Sequence, residues 1–368
     1  MPKNSSTPRV FVAATRMNDG KTTSALGLLS ALQQHHPRIG YIKPVGQRFV
    51  EIEEQKIDED SYLMQRVYQI QAPLVDMSPI AVEPDFTRRY LESANNEVLV
   101  RRIERAFDRV SWEKDFVLVE GTGHAGVGSV FDLSNATVAR LLNAKVVIVS
   151  QGGIGKPIDE VAMNQALFER EGVEIIGVIL NKVLPEKIDY ISNFARKGFK
   201  RRGLELLGVI PHQPILSCPT VAAIREELEA DLLNSNAGLN HIVGRVVIGA
   251  MSVHHAMHYL TAGVLVITPG DREDILLAAG AAQGRAEGSA SLSGIILTDN
   301  IRPSAPVMRI IRELPFPVLL AEGDSYQVAS RVHDLNVKTR PADTQKIEII
   351  RDVVGRHVDV ARILELLQ

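Results

Sequence analysis

Short apolar runs alternate along the first half of the chain with stretches whose apolar positions recur every three or four residues. That alternation predicts a parallel sheet with crossover helices. Strands are expected at 9–14, 39–44, 116–120, 145–150, 172–181 and 206–210, and helices at 22–34, 61–69, 97–110, 134–142, 158–171 and 187–202. The prolines and acidic residues between 72 and 95 read as a loop or lid, and 211–219 as a linker. Beyond it, apolar runs at 246–250, 264–268, 294–297 and 317–320 predict a second, smaller α/β domain, and a helical pattern at 344–367 closes the chain. The expected domains are 1–214, 215–343 and a C-terminal helical segment, 344–368.

With 368 residues, 45% of them hydrophobic, the chain has enough apolar material for two cores. A net charge of −3 provides no general field for nucleic acid or an anionic membrane, so neither is an expected partner. Cys218 is the one cysteine, which excludes an intramolecular disulfide framework and a cysteine-paired zinc site. No apolar run is long enough to span a membrane, and Met1-Pro2-Lys3-Asn4 lacks a secretory core. The expected location is cytoplasmic.

Chemistry concentrates where predicted strands end. The run Ala14-Thr15-Arg16-Met17-Asn18-Asp19-Gly20-Lys21-Thr22-Thr23 follows the first strand and opens a helix. Gly20 lets the backbone approach an anion, amides of the following turn point at it, Lys21 reaches its terminal phosphates, and the Thr22 hydroxyl suits Mg²⁺. The strict phosphate-loop pattern wants glycine where Thr15 stands, and Ala14 suggests a longer loop. Asn18, Asp19, Gly20, Lys21, Thr22 and Thr23 are the expected nucleotide contacts. Glu120 ends an apolar strand ahead of the glycine-rich Gly121-Thr122-Gly123-His124-Ala125-Gly126-Val127-Gly128, a place for an acidic metal ligand. Lys43 and Arg48 bring cations to the second strand's end, and Asp58-Glu59-Asp60 opens a helix. Those carboxylates also favour a helix start whatever the function. His254 and His258 are spaced to share a helix face, but no cysteine or intervening glutamate supports a metal site there.

The loop, together with Lys43-Pro44, Asp60, Val119-Glu120-Gly121 and Asn181, resembles dethiobiotin synthetase and its ATP-dependent amide-forming relatives. It is more similar still to the N-terminal part of long bacterial phosphate acetyltransferases. The resemblance implies a P-loop NTPase-type α/β domain with ATP and Mg²⁺ as cofactors. It implies Thr22, Asp60 and Glu120 as metal ligands, Lys21, Lys43 and Glu120 in catalysis, and Asn181 at the base. The second half, with Asp271-Arg272-Glu273-Asp274, resembles a DRTGG domain whose motif has diverged. In that family an acetyltransferase domain follows, and this chain ends about where it would start, so no acetyltransferase activity is expected. Two functions remain: a regulatory or nucleotide-sensing ATPase acting on a protein partner, or an ATP-dependent carboxylate-activating ligase. The resemblance also implies a homodimer. Arg16 stands five residues before Lys21, where dimeric P-loop relatives place a lysine that reaches the partner's nucleotide; its other expected role is a local pair with Asp19 or Asp60.

Overall fold

The computed structural model describes residues 2–235, 238–283 and 292–368. The chain forms two compact units, Met1–His212 with Thr344–Gln368, and Gln213–Asp343.

The first unit runs β1 (Arg9–Ala14), α1 (Lys21–Gln33), β2 (Ile39–Ile42), β3 (Val45–Gly46), β4 (Phe49–Ile52), β5 (Gln55–Asp58), α2 (Glu59–Tyr68), α3 (Leu74–Met77), β6 (Ile80–Ala81), α4 (Phe86–Glu92), α5 (Glu97–Val110), β7 (Phe116–Glu120), α6 (Asn135–Leu141), β8 (Lys145–Gln151), α7 (Gly155–Arg170), β9 (Ile175–Val183), α8 (Ile188–Lys200) and β10 (Leu206–Pro211). Its main sheet has the order β10-β9-β8-β1-β7-β2, every pair parallel. From β1 the chain goes first to β2 at the sheet edge, returns to β7 between the two, and then turns to the other side through β8. The C-terminal ends of β1, β7 and β8 therefore border the crevice where open parallel sheets take ligands. Helices cover both faces, so β1 and β7 are buried at every position and read as continuous apolar runs.

Helix α1 buries Ala25, Leu26, Gly27, Leu28, Leu29 and Leu32, covering more than one stripe. The reason is a second layer: α14 (Thr344–His357), followed by α15 (Val360–Leu367), returns to the first unit and packs on α1. Gly27 is the point of closest approach, where a Cβ would stand 2.3 Å from Val354 Cβ. Among the described residues, no helix is long and apolar enough to cross a membrane.

Three local features differ from expectation. The 72–95 region is a pair of short helices, α3 and α4, around β6, which pairs in parallel with β3. The hairpin β4–β5 was not expected; it pairs Phe49 with Asp58 and turns through Glu53 and Glu54, both at positive φ. Strand β9 begins at Ile175 rather than 172, because Gly172, at φ 72°, still closes the turn after α7.

The second unit runs α9 (Val221–Leu228), β11 (Asp231–Leu232), β12 (Arg245–Ile248), α10 (Val253–Ala256), β13 (Val264–Pro269), α11 (Glu273–Gln283), β14 (Gly294–Thr298), α12 (Ala305–Ile311), β15 (Val318–Leu320) and α13 (Ser325–Asp334). Its sheet order is β11-β15-β14-β13-β12, parallel except for β11. Two apolar clusters cover its faces. One joins Val266, Ile295 and Val318 to Ile275, Val307 and Phe316, and the other joins Leu265, Ile296 and Leu319 to Val221, Ile224 and Val328.

Candidate functional site: a phosphate loop over a buried charge cluster

The loop leaves β1 with the Thr15 amide still bonded to the Val149 carbonyl at 2.9 Å, then turns through Asn18 (φ 66°) and Gly20 (φ 89°). A Cβ at Gly20 would lie 2.0 Å from Asn181 Nδ2, and the left-handed backbone excludes ordinary side chains as well. Asn181 donates from Nδ2 to the Asp19 carbonyl at 2.9 Å, while its Oδ1 accepts from the Lys182 amide at 2.8 Å. Lys182 Nζ donates to the Asn18 carbonyl at 2.7 Å. Two loop carbonyls are thus held from the β9 side. Helix α1 has no side-chain cap, so its first-turn amides are left for an anion.

The Asp19 carboxylate turns inward, away from where a phosphate would lie. It accepts from Thr15 Oγ1 at 2.7 Å and from the Arg16 amide at 2.8 Å. Burial pushes its pKa up, and the hydrogen bonds from Thr15 and Arg16 partly offset that. Thr15 Oγ1 also lies 3.0 Å from Ser150 Oγ and 3.2 Å from Glu160 Oε2. Arg16, whose side chain is half exposed, has a local carboxylate partner in Glu160 of α7, while its amide donates to Asp19. Glu160 and Ser150 gave no signal in the sequence beyond their strand-end and helix placement.

Behind the loop, the start of α1, the end of β2, the end of β5, the first turn of α2 and the end of β7 bring five charged groups together, Lys21, Lys43, Asp58, Asp60 and Glu120. Glu120 is fully buried; its Oε1 accepts from Thr22 Oγ1 and its Oε2 from the Tyr41 hydroxyl, both at 2.9 Å. Burial raises the Glu120 pKa and Asp60 adds to the rise, against Lys43 and Lys21. Lys43 Nζ bonds Asp60 Oδ2 and lies 3.0 Å from Asp58 Oδ1. Burial works against the Lys43 ammonium, but Asp60, Asp58 and Glu120 outweigh it and hold the group protonated. Lys21 keeps some solvent exposure at the mouth of the site, yet the protein packed around its ammonium lowers its pKa to about 8, with Glu120 opposing and Lys43 reinforcing the fall.

Asp58 is the N-cap of α2 and accepts from the Asp60 amide at 2.9 Å. It is 1% exposed, and among the described residues its Oδ2 has no hydrogen-bond partner. The hairpin β4–β5 delivers it. Tyr41 and Asp58 are the site groups that sequence reasoning passed over: Tyr41 looks like one more apolar strand residue, and Asp58 stood inside a run already explained as a helix start.

The loop after β7 closes the other side. Asn135 of α6 accepts from the Thr122 amide at 3.0 Å and donates to the Thr122 and His124 carbonyls at 2.7 and 2.6 Å. His124 Nδ1 accepts from the Gly126 amide at 3.2 Å, a loop-shaping bond. Phe86 and Tyr90 of α4 meet Phe131 edge-on, and Tyr90 donates to Asp132 at 2.9 Å, tying the 72–95 region to this loop.

Thr22, Glu120 and Asp60 form an all-oxygen donor set, which fits a hard divalent cation such as Mg²⁺. Among the described residues, no three His, Cys, Asp or Glu side chains form a ready-made metal cage. His254, His255 and His258 likewise form no metal site; Ser252 Oγ and His255 Nδ1 are 3.1 Å apart. In the diverged Asp271-Arg272-Glu273-Asp274 motif, Arg272 bonds Asp274 at 2.8 and 3.0 Å and donates to the Gly249 and Met251 carbonyls at 3.2 and 2.9 Å. Glu273 Oε1 accepts from the Ser304 amide at 2.6 Å. The motif joins the ends of β12 and β13 to α12.

A family model described as an AAA domain matches residues 8–220, and one described as a DRTGG domain matches residues 223–335. A phosphate acetyltransferase of Pseudomonas putida is 30% identical over 365 residues, which cover 95% of this chain and 50% of that protein. One from Synechocystis is 27% identical over 369 residues, covering 98% and 52%. The chain thus spans about half the length of the curated relatives it matches. Among solved structures, the septum site-determining protein MinD complexed with Mg-ADP from Pyrococcus horikoshii is 15% identical, covers 57% of this chain and 83% of its own, and has a TM-score of 0.35.

Proposed function

The chain belongs to the AAA domain family that its residues 8–220 match, joined to a DRTGG domain, and from that premise we propose that it is an ATP- and Mg²⁺-binding regulatory ATPase. One observation carries the reading. The Gly20 turn opens onto the partly exposed Lys21 and Thr22 in front of the buried Lys43, Asp60 and Glu120, whose charges match a metal-bound polyphosphate better than any neutral ligand. In this reading the loop amides and Lys21 bind the β- and γ-phosphates, and bound Mg²⁺ neutralises charge that develops during transfer. Thr22, Asp60 and Glu120 would hold the metal. Tyr41 fixes the Glu120 carboxylate through its hydroxyl, and Asn181 braces the loop through the Asp19 carbonyl. The second unit carries the nucleotide state to a protein partner or a second copy of the chain.

The glycine-rich loop at 121–128, beside Lys43 and with an exposed His124, supports a second reading as an ATP-dependent carboxylate-activating ligase. Titration calorimetry with Mg-ATP tests the shared core. Lys21→Ala should lose about one to two decades of affinity, the worth of one charge-assisted hydrogen bond. Unchanged affinity would sink the assignment. Phosphate release with a panel of small carboxylates and an ammonium or amine nucleophile then separates the readings: release that depends on a carboxylate, with the nitrogen displacing phosphate from the acyl phosphate to give a new amide, identifies the ligase.

A further inference from the structure

The five-charge cluster has a composition that its proposed nucleotide alone does not explain. Three buried carboxylates, Asp58, Asp60 and Glu120, face two ammonium groups, Lys21 and Lys43. Lys43 has two of these carboxylates as direct partners, Asp58 and Asp60, while Glu120 is held by Thr22 and Tyr41. A bare divalent cation entering this cluster would meet an ammonium group already on Asp60. It would also turn a cluster with one excess negative charge into one with an excess positive charge, in a buried place where such an excess is costly. Polyphosphate arriving with the cation removes that objection.

We infer, building on the nucleotide-site reading above, that Lys43 is a built-in cation placeholder, which occupies Asp60 in the nucleotide-free protein and yields it to the divalent metal only when phosphate arrives. Asp58 is the residue onto which Lys43 retires. Its Oδ1 already lies 3.0 Å from the ammonium, and its Oδ2 is a buried acceptor with no partner among the described residues, so a small shift of Nζ lets one carboxylate replace two. Gly46 makes room for this arrangement, since a Cβ there would stand 2.5 Å from Asp58 Oδ2. The hairpin β4–β5 places Asp58 for this role, which gives that excursion of the chain a function in the site. The consequence is ordered loading: metal enters as the nucleotide complex, and the site does not fill with free Mg²⁺.

The test reads metal binding, not turnover. Mn²⁺ titrated into the nucleotide-free protein and followed by electron paramagnetic resonance should show no tight site in the wild type. Lys43→Met should create one, at least about tenfold tighter, the factor that about 1.4 kcal/mol produces. Adding Asp60→Asn to that variant should abolish it, and Lys43→Arg, which keeps the charge, should not create it. A tight Mn²⁺ site in the nucleotide-free wild type overturns the inference without any variant, so a Lys43→Met protein that fails to fold does not shelter it. No gain in folded Lys43→Met, or a gain that survives Asp60→Asn, overturns it as well. Calorimetry with Mg-ADP on the wild type keeps the two levels apart. If Mg-ADP does not bind, the nucleotide reading itself falls; if it binds while Mn²⁺ alone also binds tightly, only the placeholder falls.

Discussion

Lys21 and Glu120 show how burial sets the behaviour of single side chains here. With its pKa lowered to about 8, Lys21 starts to lose its proton in the nucleotide-free protein at a pH where an ordinary lysine remains charged. In the proposed nucleotide site, a polyphosphate would bind the ammonium form and raise that pKa, so nucleotide binding should take up a proton between about pH 8 and the bound-state value. Affinity should therefore be level below pH 8 and fall above it, by up to about tenfold per pH unit. Calorimetry at pH 9 in buffers of different ionisation enthalpy should register the proton uptake; equal heats across buffers would contradict it. Glu120→Gln keeps the shape and can still bond the Thr22 and Tyr41 hydroxyls, but it removes a carboxylate that burial already disfavours. Thermal stability should hold or rise, ATP affinity should change little, and Mg²⁺-dependent phosphate release should fall about a hundredfold. Intact turnover in that variant would make Glu120 a structural residue. Of the charged cluster, Lys21, Lys43, Asp60 and Glu120 stood out in the sequence because each ends a strand or opens a helix. Asp58 and Tyr41 were not, since their roles depend on which side chains lie opposite them.

Among the elements, α1 is the one whose surroundings decide most. Its apolar residues extend beyond a single stripe because the sheet lies on one side and α14 on the other. Gly27→Ala would put a methyl group 2.3 Å from Val354 Cβ, with the whole Val354 side chain within 2.8 Å. Helix propensity alone favours alanine by about 1 kcal/mol, but the clash should win and destabilise the first unit by about 1–3 kcal/mol. Urea unfolding followed by circular dichroism measures the difference, and a midpoint that moves upward would show that α14 does not pack there in solution. The hairpin β4–β5 teaches the complementary lesson. Its Val50-Glu51-Ile52 alternation is short, and its turn uses Glu53-Glu54 where Asn-Gly would announce a hairpin. Local sequence preference leaves such a turn unmarked.

Across the whole chain, the second unit has its own sheet and an apolar cluster on each face of it. A fragment from Gln213 to Asp343 should be soluble and melt in one cooperative transition, since both faces are covered by its own helices. A fragment that runs on to Gln368 carries α14 and α15 as well. Their buried residues, among them Ile347, Ile350, Val353 and Ile363, belong against the first unit. The longer fragment should expose that apolar surface, bind a hydrophobic dye and associate, while the shorter one does neither. A shorter fragment that shows no thermal transition would contradict the independence of its core.

While the short helices α3 and α4 were not visible along the chain, the strands β1, β7 and β8, the turn at Gly20 and the long helices between the main strands were. They rest on local periodicity, on the glycine that a left-handed turn requires, and on charged residues that end apolar runs. These signals act over a few residues, so one sequence carries them. Tertiary structure alone decided that Arg16 pairs with Glu160, that Asn181 braces the Asp19 carbonyl, and that the last helices return to α1. It also decided that Lys43 stands between Asp58 and Asp60. Each of these is a contact between groups brought together by strand order and packing. Its energy depends on distance and burial in the folded chain, which no local pattern encodes.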